Sequence, residues 1–479
     1  MPNEGLFPVE SIHMNVVSKP FQHTSYPTKS RLLHKDTLED DPEFDEAEFI
    51  KSKIDDGSMV NIWRYDPCKP DSLGIARAFQ YSETRGLPSV VEFSKKIVKR
   101  FNPPAYDNWD VLLANGSSDS LFKIFETLCD EGVTVLMEEF TFSPTIFNVT
   151  ASGGKVVPIK VEITHDPETQ GIDVQYLSDL LENWEVGPYR HLSKPRVLYT
   201  IATGQNPTGM TLSPEKRKAI YELAETHNFI IVEDDPYGYL KFPAYDPEDP
   251  LKNPYKSGEI TPDIYCNQVL VNSFITIDTS GRVLRLETYS KLFFPGLRLS
   301  FIVGNKFLID TLAELSEVSS RAPSGTSQAI LNNITQKWCQ DYGDEVDGWT
   351  NWIMSVAEEY THRRNVLFEA LLSTDAYKKG LFSLMEPSAG MFVSIEILLD
   401  KLVKLDAEDH LKAMDFLNYR LIEEGVSTVL GYKLAVCKNF SYDRSNFLRV
   451  TYAYAASDEQ LREASRRFSR GVERLFAEY

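Results

Sequence analysis

The sequence predicts an α/β protein that has a mostly parallel central sheet in a large domain, followed by a smaller α+β domain. Between Asp110 and Gly304, short apolar runs of strand character alternate with helical segments, which is the pattern of a parallel sheet covered by helices. The chain then continues as long helices with few strands. We therefore expect an N-terminal segment with an acidic loop over residues 1–70, the large domain over 71–315, and linking helices with the small domain over 316–479.

The composition is that of a globular protein with a large core. Of the 479 residues, 42% are hydrophobic and 12% are aromatic. The net charge of −20 disfavours non-specific binding to nucleic acid or anionic membranes. No apolar run is long enough to span a membrane and no signal peptide opens the sequence, so we expect a cytoplasmic location. The five cysteines lack the spacing of a disulfide framework or a zinc site, and no metal is expected.

Local patterns predict the individual elements. The strands are apolar, β-branched runs bounded by turn residues: Val111–Ala114, Val133–Glu139, Lys155–Val161, Arg196–Thr200, Phe229–Val232, Arg282–Thr288 and Leu297–Gly304. The helices have apolar residues at helical spacing: Leu73–Tyr81, Ser89–Val98, Leu121–Leu128, one from Pro144, one after the N-cap Ser213, Asn305–Glu317, Gln328–Gln340, Asn351–Leu372 and Asp458–Tyr479. The residues from Asn3 onwards and the acidic stretch from Asp36 to Asp56 are expected to be irregular.

Four loops with polar or aromatic residues follow the ends of predicted strands. They contain Asn115–Ser120, Phe142, Gly204–Gly209 and Glu233–Tyr237. Ligands of open α/β sheets bind at the carboxyl ends of the strands, so we expect these loops to converge on one crevice. The glycine and hydroxyls of Asn115–Ser120 favour a phosphate at the following helix, although helix capping explains them equally well. Phe142 could stack on a planar ligand or simply belong to the core.

A candidate catalytic lysine lies between two predicted strands. Lys291 stands in the polar loop from Thr288 to Arg298, seven residues before the arginine. A lysine amine becomes a nucleophile towards aldehydes when desolvation or a neighbouring cation lowers its pKa, and Arg298 could be that cation. Taken alone, however, a lysine in a polar loop is ordinarily a solvated surface charge.

The motifs together carry more information than any one of them. In order they read NGSSDS, FTF, NPTG, EDDPY and TYSKLFFPGLR. This set resembles the pyridoxal-phosphate site of the class I/II aminotransferases, which have fold type I. Over almost its whole length the chain is most similar to the inducible fungal aromatic-amino-acid aminotransferases and, more distantly, to the kynurenine and α-aminoadipate aminotransferases.

The resemblance implies pyridoxal 5′-phosphate as the cofactor and Lys291, Asp234 and Tyr237 as catalytic residues. Lys291 would form a Schiff base with the cofactor and then move the proton between the substrate Cα and the cofactor. Asp234 would keep the pyridine nitrogen protonated, because only the pyridinium withdraws electrons effectively. Asn206 and Tyr237 would bond the 3′-oxygen of the ring.

Other roles follow from the same resemblance. Phe142 would stack on the ring, and Tyr81 would contact the phosphate of the partner subunit. The phosphate would also be bound by Ser117, Ser118, Ser290 and Arg298. On a strand over Phe447–Tyr452, Arg449 would bind the substrate carboxylate together with Asn206, since a guanidinium matches a carboxylate bidentately.

The resemblance further implies a homodimer with shared active sites. The implied reaction transfers an amino group from phenylalanine, tyrosine or tryptophan to a 2-oxo acid. Its implied mechanism is a ping-pong aldimine/ketimine mechanism. Kynurenine or α-aminoadipate specificity remains an alternative, because it depends on a few side chains that the sequence does not place in space. A non-catalytic pyridoxal-phosphate-binding regulator is a further alternative. Such regulators carry a DNA-binding domain, whereas this chain has no basic N-terminal helix-turn-helix module and is acidic overall.

One feature departs from the family pattern. Relatives place a Gly-Gly pair just before the segment that here begins at Met1, and a backbone N–H of that pair helps to hold the substrate carboxylate. We therefore expect the native chain to extend upstream, and the missing segment to affect substrate binding more than cofactor binding.

Overall fold

The computed structural model of the chain describes residues 14–17, 59–62, 73–402 and 409–479. Its strands are β1 (Met14–Val17), β2 (Met59–Ile62), β3 (Trp109–Ala114), β4 (Thr134–Glu138), β5 (Lys155–Ile159), β6 (Val161–Glu162), β7 (Gly171–Ile172), β8 (Pro195–Thr200), β9 (Ile230–Asp234), β10 (Val283–Thr288), β11 (Ser300–Asn305), β12 (Phe382–Leu384), β13 (Phe392–Ile397), β14 (Val429–Leu430) and β15 (Phe447–Thr451).

Helices cover both faces of the larger sheet and make up most of the C-terminal third. They are α1 (Ile75–Ala78), α2 (Pro88–Phe101), α3 (Ser117–Leu128), α4 (Pro144–Ala151), α5 (Val174–Glu182), α6 (Pro214–His227), α7 (Pro262–Ile264), α8 (Tyr289–Leu292), α9 (Lys306–Val318), α10 (Gly325–Tyr342), α11 (Glu345–Leu372), α12 (Asp375–Lys378), α13 (His410–Glu423), α14 (Lys438–Ser441) and α15 (Asp458–Glu478). Within the described residues, every helix is too short or too polar to span a bilayer.

The larger sheet has seven strands in the order β3-β11-β10-β9-β8-β4-β5. All of them run parallel except β11, which is antiparallel to both of its neighbours. The carboxyl ends of six strands therefore meet at one edge of the sheet. This arrangement confirms the predicted fold class, and it brings the loops after β3, β4, β8, β9 and β10 together at that edge.

Alternate residues of each central strand pack into two different cores, one on each face of the sheet. On β3, Leu112 belongs to the core under α3 and α9, whereas Leu113 belongs to the core on the opposite face. On β9, Val232 and Ile231 divide in the same way. Burial on both faces explains why these strands are continuous apolar runs in the sequence.

A second sheet of four antiparallel strands has the order β12-β13-β15-β14. It lies in the C-terminal part of the chain, where β13 and β15 pair with Ser394 opposite Arg449. Near the N-terminus the expectation of irregular structure was wrong for residues 14–17, because β1 pairs antiparallel with β2. The acidic stretch and the segment beginning at Met1 lie outside the described residues.

Candidate active site at the carboxyl edge of the sheet

Lys291 lies on a helical turn and not in a polar loop, so this part of the prediction was wrong. Helix α8 begins directly after β10, and the Thr288 hydroxyl caps it by accepting a hydrogen bond from the Ser290 N–H at 3.1 Å. A 3₁₀ turn over Pro295–Leu297 follows. The next strand therefore starts only at Ser300, three residues later than predicted.

Buried aromatic side chains fix both ends of α8. The Tyr289 hydroxyl lies 2.9 Å from the Ser94 hydroxyl. At the other end, the Trp352 Nε1–H donates a hydrogen bond of 2.6 Å to the Leu292 carbonyl. Because the residues on either side of Ser290 and Lys291 are held in this way, the position of the lysine backbone is determined by the core.

The environment of Lys291 favours a neutral amine. The side chain is half-buried, and its pKa is lowered, first by burial and then by the positive charges of Arg298 and Arg449. The negative charge of Asp234 opposes this shift. A lysine with a lowered pKa is uncharged more often at neutral pH and is therefore a better nucleophile.

Asp234 is the buried acid of the site. It ends β9, is 4% exposed, and its Oδ2 accepts a hydrogen bond of 2.8 Å from the Tyr199 hydroxyl. Its Oδ1 is buried and has no hydrogen-bond partner within the described residues. Burial raises the pKa of Asp234 to about 7, while the Tyr199 hydrogen bond and the charge of Lys291 act in the opposite direction.

The neighbouring Asp235 differs from Asp234 in its partners, because it forms an ion pair with an arginine. Its Oδ2 lies 2.7 Å from Arg285 Nη2. The same guanidinium lies 2.9 Å from Glu287 Oε1 and 3.4 Å from Glu233 Oε2. Asp235 thus belongs to a buried ion network, whereas Asp234 is bonded by a neutral tyrosine hydroxyl. Each of the two acids keeps a buried Oδ1 without a hydrogen-bond partner within the described residues.

Arg298 and the start of α3 form a compact basic site. A Cβ on Gly116, where φ is +86°, would lie 2.3 Å from Arg298 Nη2, so the guanidinium rests on a backbone that only glycine permits. Ser290 Oγ is 3.5 Å from Arg298 Nη1. Ser117 and Ser118 lie in the first turn of α3, where the sequence had predicted a loop. A helix N-terminus beside an arginine favours a phosphate.

Arg449 reaches the same region from the smaller sheet. Its Nη1 donates a hydrogen bond of 2.7 Å to Asn206 Oδ1. The guanidinium carbon lies 4.5 Å from the centroid of the Phe392 ring, and the Tyr237 ring meets Phe392 edge-on at 5.8 Å. These contacts hold the arginine between an amide and an aromatic wall.

The loop after β8 is packed tightly against the segment before β13. At Gly204, where φ is +58°, a Cβ would lie 2.9 Å from backbone atoms of Ala389 and Gly390. Beside it, the Gly390 N–H donates to the Leu240 carbonyl at 2.9 Å. Close backbone packing therefore joins the two sheets next to Asn206.

Two predicted site residues, Phe142 and Tyr81, have no direct contact with the other site residues among the contacts described above. Phe142 follows β4 and packs, half-buried, against the core under α3. Tyr81 is 93% exposed, and its side chain makes none of the contacts that join the other site residues. The structure therefore brings together Lys291, Asp234, Asn206, Tyr237, Arg298, Ser290 and Arg449, and it places the helical turn of Ser117 and Ser118 beside Arg298. It does not bring Tyr81 to them.

Sequence reasoning missed Tyr199. It lies in the predicted strand Arg196–Thr200, to which the sequence assigns no site residue, yet its hydroxyl bonds the acid of the site. A signal was available, because a tyrosine in an otherwise apolar buried strand needs a partner for its hydroxyl. The identity of that partner could not be read from the sequence.

The residues present match the groups of pyridoxal phosphate. Asp234 Oδ1 is a buried acceptor without a donor, as a protonated ring nitrogen requires. Arg298 above Gly116 suits the phosphate, and Lys291 supplies an amine of lowered pKa for the aldehyde. In the part of the chain that the structure describes, no group of three or more His, Cys, Asp or Glu residues is arranged to hold a metal ion.

Comparisons with known proteins agree with this geometry. The family model for aminotransferase class I and II matches residues 73–468. Aromatic amino acid aminotransferase 2 of Saccharomyces cerevisiae is 48% identical over 492 aligned residues, covering 100% of this chain and 90% of that protein. An L-tyrosine:2-oxoglutarate aminotransferase of Tapinella panuoides is 30% identical, covering 89% of this chain and 87% of that protein.

A solved structure agrees as well. The crystal structure of the aromatic aminotransferase Aro9 from C. albicans superposes with a TM-score of 0.84 at 40% identity, covering 100% of this chain and 91% of that one. The family model alone spans most of the chain, and the predicted resemblance is confirmed. This chain belongs to the aminotransferase class I and II family, whose cofactor is pyridoxal phosphate.

Proposed function

We propose that the protein transfers the amino group of an aromatic amino acid to a 2-oxo acid. The observation that carries the proposal is the convergence of a lysine of lowered pKa, a buried acid with a free oxygen and a fixed arginine at one edge of the sheet. The names of the relatives support the substrate class. Phenylalanine, tyrosine and tryptophan are the expected donors.

Each residue has a role that follows from its position. Bound pyridoxal phosphate supplies an electron sink for the bonds at the substrate Cα. Lys291 Nζ accepts the proton from Cα and returns it, and its lowered pKa matches that task. Arg449 would bind the substrate carboxylate, and Asp234 Oδ1, which is buried without a partner within the described residues, would accept a hydrogen bond from the ring nitrogen. Tyr237 and Asn206 hold the ring oxygen.

The surroundings of Arg449 favour aromatic donors. Phe392 and Tyr237 form an aromatic wall beside the guanidinium. An aromatic side chain gains contact with such a wall, whereas a second carboxylate next to it loses hydration without a matching charge. The site should therefore favour neutral aromatic donors over acidic ones.

A donor panel with 2-oxoglutarate tests this preference. We expect kcat/KM to be about 10-fold or more higher for phenylalanine, tyrosine and tryptophan than for aspartate and α-aminoadipate. Alanine serves as the matched neutral donor without an aromatic ring, and kynurenine distinguishes the related specificity. A higher kcat/KM for aspartate, α-aminoadipate or kynurenine would contradict the proposed substrate class.

We also propose a homodimer in which Tyr81 contacts the cofactor phosphate of the partner subunit. In support, Tyr81 is 93% exposed in the single chain and stands away from its own site. Losing a hydrogen bond to a charged phosphate in Tyr81→Phe should weaken cofactor binding about 10- to 100-fold.

Hybrid dimers test this assembly. A dimer of one Tyr81→Phe subunit and one Lys291→Ala subunit contains one site with both native residues, if sites are shared. That hybrid should bind cofactor at one site with wild-type affinity. If the affinity of the hybrid equals that of the Tyr81→Phe homodimer, or if full activity persists in a monomer, the shared site is wrong.

A cytoplasmic location is part of the proposal. It is supported by the five cysteines, which lack the spacing of a disulfide framework, as in proteins of reducing compartments. Imaging of the tagged native chain tests it, and accumulation in an organelle would contradict it.

A further inference from the structure

Tyr199 occupies a core position that phenylalanine would fill equally well. It is 0% exposed and lies on β8 between Val197 and Ile201 in the core under α3. Its ring meets Phe125 edge-on at 6.1 Å. Since packing accounts for the ring, the hydroxyl is the feature that needs another explanation.

The Tyr199 hydroxyl bonds only one of the two carboxylate oxygens of Asp234. Strands β8 and β9 are adjacent, with Tyr199 opposite Val232, so the acid lies two residues further along its strand. The Tyr199 hydroxyl lies 2.8 Å from Oδ2. Oδ1 is left buried, without a partner within the described residues. One oxygen is thus anchored to the sheet and the other remains available to a ligand.

The direction of this hydrogen bond is fixed. Burial and the charge of Asp234 hold the pKa of Tyr199 well above its usual value, so the phenol remains a donor across the working pH range. A donor favours the ionised form of Asp234, as Lys291 does, against the effects of burial and of Asp235. Glu138 is a further acid near the tyrosine.

We propose that Tyr199 is the positioning residue for Asp234: its hydroxyl holds Oδ2 so that Oδ1 faces the ring nitrogen of pyridoxal phosphate as a carboxylate. This inference rests on the proposed function. Without the hydroxyl, Asp234 can rotate and is protonated more easily, and the ring nitrogen then loses part of its proton. A less protonated ring withdraws fewer electrons from the lysine-linked nitrogen and from the substrate.

Tyr199→Phe tests the proposal because it removes only the hydroxyl. In the cofactor-loaded protein, the pH midpoint of the visible absorbance change should move to higher pH by at least about 0.5 pH unit. The kcat for phenylalanine should fall about 10-fold or more while KM stays within about 2-fold, since the lost bond acts on the reacting ring and not on substrate binding.

Tyr239→Phe is the matched control. Tyr239 is also buried, and its hydroxyl donates to a carboxylate, Glu287 Oε2, at 2.9 Å in the ion network. This variant should lose thermal stability without moving the absorbance midpoint. If Tyr199→Phe behaves like Tyr239→Phe, with an unchanged midpoint and kcat, the hydroxyl is structural and the inference is overturned. A wild-type protein that takes up no pyridoxal phosphate would overturn the proposed function, and this inference with it.

Discussion

The Lys291→Ala variant is expected to lose the covalent attachment of pyridoxal phosphate and to fall in kcat by about 10⁴-fold or more. Both effects have one expected cause, because in the proposed function the same Nζ atom would form the link and move the Cα proton. The side chain is half-buried, and α8 is held by Tyr289 and Trp352, so the alanine variant should fold normally.

Borohydride reduction followed by peptide mass analysis measures the attachment directly. The wild-type protein should carry the cofactor on Lys291 and the variant on no lysine. Lys241 is the informative competitor, since it is 8% exposed and burial lowers its pKa to about 8. Exposed Lys256 gives the control variant Lys256→Ala, which should match wild type. Cofactor found on Lys241, or turnover unchanged in Lys291→Ala, would refute the assignment.

Asp234→Asn is expected to lower kcat by about 10²- to 10³-fold while some cofactor still binds. In the proposed role, the carboxylate would stabilise a positive charge on the ring nitrogen by electrostatics, which a neutral amide cannot do. The phosphate site and Lys291 are untouched, so binding should weaken less than turnover. Wild-type kcat in this variant would contradict the role of Asp234.

In the cofactor-free protein, the same Asp234→Asn substitution should raise the free energy of unfolding at pH 8. Burial raises the folded-state pKa of Asp234 to about 7, above its ordinary value of 3.8. Between these values the folded state holds a proton that the unfolded state has lost, so the free energy of unfolding falls as pH rises through that window. The loss amounts to about 4 kcal/mol by pH 8. Apo Asp234→Asn should therefore unfold at higher urea than apo wild type at pH 8, and not at pH 4.

Asp235→Asn is the matched control for this measurement. Asp235 is paired with Arg285, so the substitution breaks a buried ion pair and should destabilise the apo protein by about 3 to 5 kcal/mol. Equal destabilisation by both variants at pH 8 would show that Asp234 is also a structural charge.

Much of the architecture could be predicted because it follows from short-range patterns. Strands such as Arg196–Thr200 and Phe229–Val232 are continuous apolar runs that the buried parallel sheet requires, and Ser213 caps α6 as predicted. The loops at the strand ends lie at one edge of the sheet because the parallel strands run in the same direction. The residue roles taken from the resemblance remain predictions, although the structure brings most of those residues together.

What the sequence could not provide was the direction of individual side chains. Asp234 and Asp235 are adjacent and chemically identical, and the positions of Tyr199 and Arg285 separate them. The strand that contains Tyr199 is predictable, but its hydroxyl partner is not, because Asp234 lies on another strand. The sequence around Lys291 predicts a polar loop, whereas the structure has a helical turn there. The sequence could not show this, because Trp352, which bonds the Leu292 carbonyl, is 60 residues away.

The half-reaction with phenylalanine is the decisive test of transamination at this site. Purified protein loaded with pyridoxal phosphate is mixed with L-phenylalanine in the absence of any 2-oxo acid, and phenylpyruvate is measured. We expect about one equivalent of phenylpyruvate per protein chain and then no more until 2-oxoglutarate is added, because the amino group must leave before the next donor reacts. No phenylpyruvate, or continued formation beyond one equivalent without an acceptor, would contradict transamination at this site.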